Sequence, residues 1–289
     1  MSDILTLLGF SAIAFIAATV ATVMGFGVGT SLTPFFALAY PTQIAVMLVA
    51  VVHFLSNLLR LALFRRHVDL GLVRRFGVLS IVGALGGSFA QGLIQSDWLK
   101  VLLGVLLILV GGSALLPNAS GWHFPRRFDQ VGGLLSGALG GLLGNQGAVR
   151  SAYLANYDIP KESFIATAAL IAVSIDATRL PVYVATQWDQ ITRAWPVLVG
   201  ATIAAYVGTY VGQRLVGRVS QATFKQLVNI MIAVFGLVMI AQGTWATLGQ
   251  MPAIVLSTLI AVALLFAVIR GQKATAVRPE TDEARGVHG

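Results

Sequence analysis

Apolar residues run through this chain in long stretches broken by short charged clusters. Low-charge runs occupy 4–24, 42–64, 76–94, 101–117, 131–149, 163–175, 194–213, 226–248 and 251–269. An α-helix needs about 20 apolar residues to cross a hydrocarbon core about 30 Å thick, and most of these runs approach that length. The stretch 25–40 differs. Gly25, Gly27 and Gly29 alternate there and Pro34 follows, so it reads as a broken or re-entrant piece that Pro34 keeps from being a clean helix. Irregular backbone at membrane depth survives only where it is buried in protein or lines a polar cavity. The pattern predicts an all-α polytopic membrane protein.

Composition agrees. Hydrophobic residues make up 57% of the chain and charged residues 10%, against about 25% charged in soluble domains. The net charge of +8 does not point to nucleic acid, because the basic residues sit between apolar runs, where the positive-inside rule wants them. Cysteine is absent, which excludes disulfides, Cys-ligated metals and thiol catalysis. Met1–Met24 lacks a basic n-region and reads as a retained first span with its N-terminus outside.

The chain also repeats itself. At an offset of 119 positions Gly25 meets Gly144, Pro41 meets Pro160, Ala50 meets Ala169, Arg60 meets Arg179 and Arg74 meets Arg193, with Asn57 on Asp176. At an offset of 125, Gly83 meets Gly208, Gly87 meets Gly212, Lys100 meets Lys225 and Gly111 meets Gly236. Chance similarity between two apolar sequences is the competing explanation. Loop charge argues against it. Arg65–Arg75 carries net +3 and the loop holding Asp97 and Lys100 is neutral, whereas the matching loops are neutral at Asp189 and Arg193 and +3 over Arg214–Lys225. Equivalent loops thus face opposite sides, the mark of an inverted-topology repeat whose broken helices meet near the midplane. The expected organisation is a first transmembrane repeat over 1–117, a cytoplasmic linker at 118–130 and a second repeat over 131–248. An extra span at 249–270 and a disordered cytoplasmic tail at 271–289 complete it.

The chemistry lies in the interrupted segments. Gly25, Gly27, Gly29, Gly144 and Gly147 break helices, and half-helix N-termini favour anions. Asn145 and Gln146 add amide donors, while Thr30, Ser31 and Ser151 add hydroxyls. Arg60, Arg150 and Arg179 offer planar, permanently charged forks for carboxylate, sulfonate or phosphate oxygens. Asn57 shares a helix face with Arg60. Each has a plainer reading: glycines for tight packing, Arg60 and Arg179 snorkelling from span ends, Arg150 in an interfacial loop. Asp176 is either a structural partner of Arg179 or a proton carrier. His53 by itself reads as a packed polar group rather than a relay.

These residues resemble a known family. Gly25-x-Gly27-x-Gly29 followed by Pro34, the run GNQGAVRSAYLANYDIPKESFIATAAL from Gly144, and DATRLPVY at 176–183 are similar to the TauE/SafE-like permeases, also called the 4-toluene sulfonate uptake permease family. The resemblance spans about residues 10–270 and implies an inner-membrane carrier of small sulfur-containing or carboxylated anions. Two departures bear on the substrate: Asn145 and Gln146 replace glycines, and Tyr153 stands where a proline would be.

The expected function is therefore secondary transport, with export favoured, of a small anion such as sulfite or an organosulfonate by alternating access, with Asp176 as the proton-coupling candidate. A scaffold or passive anion channel is the alternative. An enzyme is not expected: G-x-S-x-G and HExxH are missing, and the histidines at 53, 67, 123 and 288 are scattered. No metal or cofactor is expected. The partners are the anion and the bilayer, with a homodimer left open. The location is the cell inner membrane, multi-pass, with the C-terminus cytoplasmic.

Overall fold

The computed structural model describes residues 2–37, 39–90, 97–115, 128–143 and 146–249, together with 251, 254 and 258. These form helices α1 (Ser2–Met24), α2 (Val28–Phe36), α3 (Thr42–Phe64), α4 (Leu70–Leu72), α5 (Val78–Ala90), α6 (Asp97–Ser113), α7 (Asp129–Leu143), α8 (Gln146–Leu154), α9 (Lys161–Arg193), α10 (Trp195–Val216) and α11 (Gln221–Leu248). Among the described residues six helices are long and apolar enough to cross a membrane, and the chain is an all-α polytopic membrane protein. The span expected at 249–270 and the tail lie outside the described residues but for 249, 251, 254 and 258, as does the linker before Phe128.

Two compact units share the chain. One contains Met1–Gln95 and Phe124–Val228; the other contains Ser96–His123 and Asn229–Gly289. In the first unit α1 packs on α10, α5 on α7 and α3 on α9, while α2 and α8 touch one another and sit against α3 and α9 respectively. Small residues set the two outer pairs. A Cβ on Gly83 would stand 2.1 Å from the carbonyl oxygen of Leu134, and one on Gly87 2.2 Å from that of Ala138. In the other pair a Cβ on Gly208 would stand 2.3 Å from Phe15 O and one on Gly212 2.7 Å from Thr19 O. Backbones this close admit only glycine. The second pair repeats the first: glycines 125 positions on meet carbonyls 119 positions back. The second unit contains α6 against the later part of α11, where a Cβ on Gly104 would stand 2.6 Å from Gly236 O.

The break before α2 comes from Gly25 and Gly27, at φ 83° and 119°, a left-handed backbone that glycine adopts without strain. Pro34 does not stop the helix as expected; it lies inside α2, which runs on to Phe36. In so short a helix Pro34 forfeits a single bond, and the Thr33 hydroxyl donates to Gly29 O at 2.7 Å. At nine residues α2 reaches about 13 Å, well short of a crossing. A second expectation is corrected as well. Asp189 and Arg193 are not in a loop: α9 continues through the exposed Pro181 to Arg193. Beyond Pro181 no glycine or proline interrupts the chain until Pro196, in the first turn of α10.

Candidate functional site

Three helices of the first unit bring the charged residues together. α3 carries His53, Asn57 and Arg60, α8 carries Arg150 and Ser151, and α9 carries Asp176 and Arg179. All seven are buried. Burial rules out the snorkelling and interfacial-loop readings for the arginines, of which Arg60 and Arg150 are each 1% exposed.

On α9 the charge is paired. Arg179 donates from Nε to Asp176 Oδ1 at 2.9 Å, its Nη2 lies 2.7 Å from the same oxygen, and its Nη1 reaches Gly140 O at 3.4 Å. The other carboxylate oxygen, Oδ2, lies 2.6 Å from His53 Nδ1 on α3. Spacing of three residues made the first contact foreseeable. The second joins residues 123 positions apart and left no trace in periodicity.

On α3 the pattern is the same with one charge fewer. Arg60 Nη1 donates to Asn57 Oδ1 at 3.1 Å, and Asn57 Nδ2 donates to His53 O at 2.7 Å. Arg60 has no acidic partner among the described residues, and its Nε and Nη2 are buried without a hydrogen bond. Arg150 shares this deficit: its Nε and Nη1 are both buried with no partner among the described residues. Its charge acts on Arg60, His53, Asp176 and Arg179, so the five groups form one electrostatic cluster. The buried Ser151 Oγ likewise lacks a partner among the described residues.

The broken segments border this cluster. A Cβ added at Gly147 would lie 3.6 Å from Phe26 Cβ, between Gly25 and Gly27, and 3.8 Å from Arg150 Nη2. The first turn of α8 thus meets the break before α2. Gly25 also packs tightly: a Cβ there would stand 2.7 Å from the Phe164 ring. Gly29 and Thr30 are buried in α2 and Ser31 is half-buried. Gly144 and Asn145 lie outside the described residues, as does the side chain of Gln146. Tyr153 faces elsewhere: its hydroxyl donates to Phe128 O at 2.9 Å, and its ring packs on Phe76, centroid to centroid 5.1 Å.

Chemically the cluster holds three arginines against one aspartate, with guanidinium N–H groups unspent in a site largely without solvent. A buried donor left unsatisfied costs about 1–3 kcal/mol, more when charged. Such forks are suited to an anion with several oxygens. No curated protein and no solved structure matches the chain. Residues 10–239 match the family Sulfite exporter TauE/SafE, a span that includes every residue of the cluster. With that match over most of its length, the chain belongs to the TauE/SafE family.

Proposed function

We propose that this protein is a secondary transporter of a small oxyanion, sulfite or an organosulfonate, working by alternating access in the cell inner membrane. The observation that carries this reading is the pair of buried guanidinium groups, Arg60 and Arg150, each with two N–H-bearing nitrogens that have no partner among the described residues. Buried charge without a partner is costly, and a transported anion is the partner this site lacks. Gly25, Gly27, Gly29, Gly144, Asn145, Gln146, Gly147 and Ser151 would border the anion, Asn57 and Arg179 would hold the neighbouring charges in place, and Asp176 would serve proton coupling as the carboxylate against which the His53 imidazole is held.

The helix packing supports two inverted repeats, 1–117 and 131–248. Exchanging the halves turns the α5–α7 contact into α10–α1, with glycine and carbonyl in corresponding places. Such a pair rocking about a midplane site is a familiar way to expose it to each side in turn. Export is the favoured direction.

Purified protein in liposomes tests the reading. Preloaded sulfite or 4-toluenesulfonate should drive counterflow of the labelled anion, and Arg150→Ala should abolish it. No flux of either anion under an anion or proton gradient would overturn the proposal.

A further inference from the structure

His53 is a polar group buried in α3 with its Nδ1 2.6 Å from Asp176 Oδ2, and nothing in the anion-binding role uses it. Both oxygens of Asp176 are engaged, one by His53 and one by Arg179. The carboxylate is therefore held as an anion, and a proton arriving from water has the imidazole as its acceptor. Neutral imidazole donates through Nδ1 to the carboxylate, which leaves the lone pair of Nε2 as the one that takes the proton. The imidazolium so formed keeps the same bond, now between opposite charges. Histidine is also the one side chain whose ordinary titration lies between about pH 5 and 8.

We propose that His53 is the proton-binding group of this transporter and that Arg150 couples its protonation to the anion. The charged groups facing the pair are Asp176 and Arg179 from α9, Arg150 from α8 and Arg60 on α3 itself. The other elements packed on α3 and α9 add none that is buried. α2 and α5 carry no titratable side chain, and Tyr206, Tyr210 and Arg214 of α10, with Arg65, Arg66, His67, Arg74 and Arg75 beside α4, are exposed; half-buried Asp69 meets α9 at Thr167 and accepts from Leu72 N, and the buried phenols are Tyr153 of α8 and Tyr183 of α9. Arg150 and Arg179 carry charge of the same sign as a protonated His53, and Asp176, 2.6 Å away, carries the opposite one. An anion on Arg60 and Arg150 cancels part of that like charge. Anion binding thus raises the proton affinity of His53, and by reciprocity a proton on His53 tightens the anion. Anion and proton would occupy the site together. This rests on the anion-transport reading, because it takes Arg60 and Arg150 as the anion's ligands.

Titration calorimetry on the purified full chain tests it, with sulfate and 4-toluenesulfonate, whose charges stay constant over the pH range used. Binding should tighten on the order of tenfold between about pH 8 and pH 5.5. Runs in two buffers of different ionisation heat should show close to one proton taken up per anion. His53→Gln, which retains an amide toward Asp176, should bind with a flat pH profile and take up no proton. Binding by the wild-type protein without proton uptake, or uptake that survives in His53→Gln, overturns the inference and leaves the anion site standing. No binding of either anion at either pH overturns both. The wild-type measurement decides even if the variant does not fold.

Discussion

Arg60 and Arg179, 119 positions apart, make the same contact on two different helices. Each donates to the side chain three residues before it, Arg60 to Asn57 at 3.1 Å and Arg179 to Asp176 at 2.9 Å. The partners differ in charge. Aspartate neutralises Arg179, asparagine leaves Arg60 charged, and the cluster keeps an excess of positive charge that Arg150 enlarges.

That excess has a measurable side. Arg150→Met removes a buried charge with two nitrogens that have no partner among the described residues, so the ligand-free melting temperature should not fall. The stabilisation by saturating anion, about 2.7 kcal/mol at a hundredfold excess over Kd, should disappear. Thermal melts with and without sulfite check both halves of this expectation.

Asp176 should behave in the opposite way. Asp176→Ala strands Arg179 and removes the acceptor of His53, a loss of about 3–5 kcal/mol for a broken buried pair. The double variant Asp176→Ala/Arg179→Ala should cost less than the sum of the single changes. A denaturation cycle over the four proteins measures the coupling.

The glycine contacts give a paired test. Gly83→Val and Gly208→Val each drive a side chain into a carbonyl oxygen little more than 2 Å away and should lower the melting temperature severely. Gly86, where a Cβ would meet nothing within 4 Å, is the control. Gly86→Ala should stabilise by about 0.5–1 kcal/mol.

The turn before α9 is anchored on the α10–α11 connection. Lys161 Nζ donates to Val216 O at 2.9 Å and also to Val219 O, completing the carbonyls at the end of α10. Lys161→Met should cost about 1.5–3 kcal/mol, the usual worth of hydrogen bonds to a charged group. Nearby, Lys225 lies 2.5 Å from Asp158 and holds its carboxyl below the usual aspartate range. A carboxylate with a lowered folded-state pKa stabilises above its ordinary range and loses that contribution as pH falls through the folded value. Hydrogen-exchange protection over 155–159, taken relative to the intrinsic rate at each pH, should therefore fall on acidification, and weakly, since the pair is exposed and screened by salt.

Much of this was legible beforehand, and the reasons for the rest are physical. Apolar runs near 20 residues read as spans because lipid leaves a chain few alternatives. Asn57 with Arg60, and Asp176 with Arg179, could be paired because three residues on a helix return to the same face. The His53–Asp176 contact could not, since periodicity describes one helix and says nothing about which helix lies beside it. The end of α9 was misjudged because its polar residues after Pro181 look like a loop, although nothing in them stops a helix. The excess positive charge was visible as residue types, but its being unpaired is a property of packing.

Crystals grown with 2-bromoethanesulfonate offer the most direct measurement, because bromine marks the ligand by its anomalous scattering. A single strong peak is expected in the first unit, with sulfonate oxygens on Nε and Nη2 of Arg60 and Nε and Nη1 of Arg150. A peak elsewhere, with both guanidinium groups bonded only to protein, would contradict it.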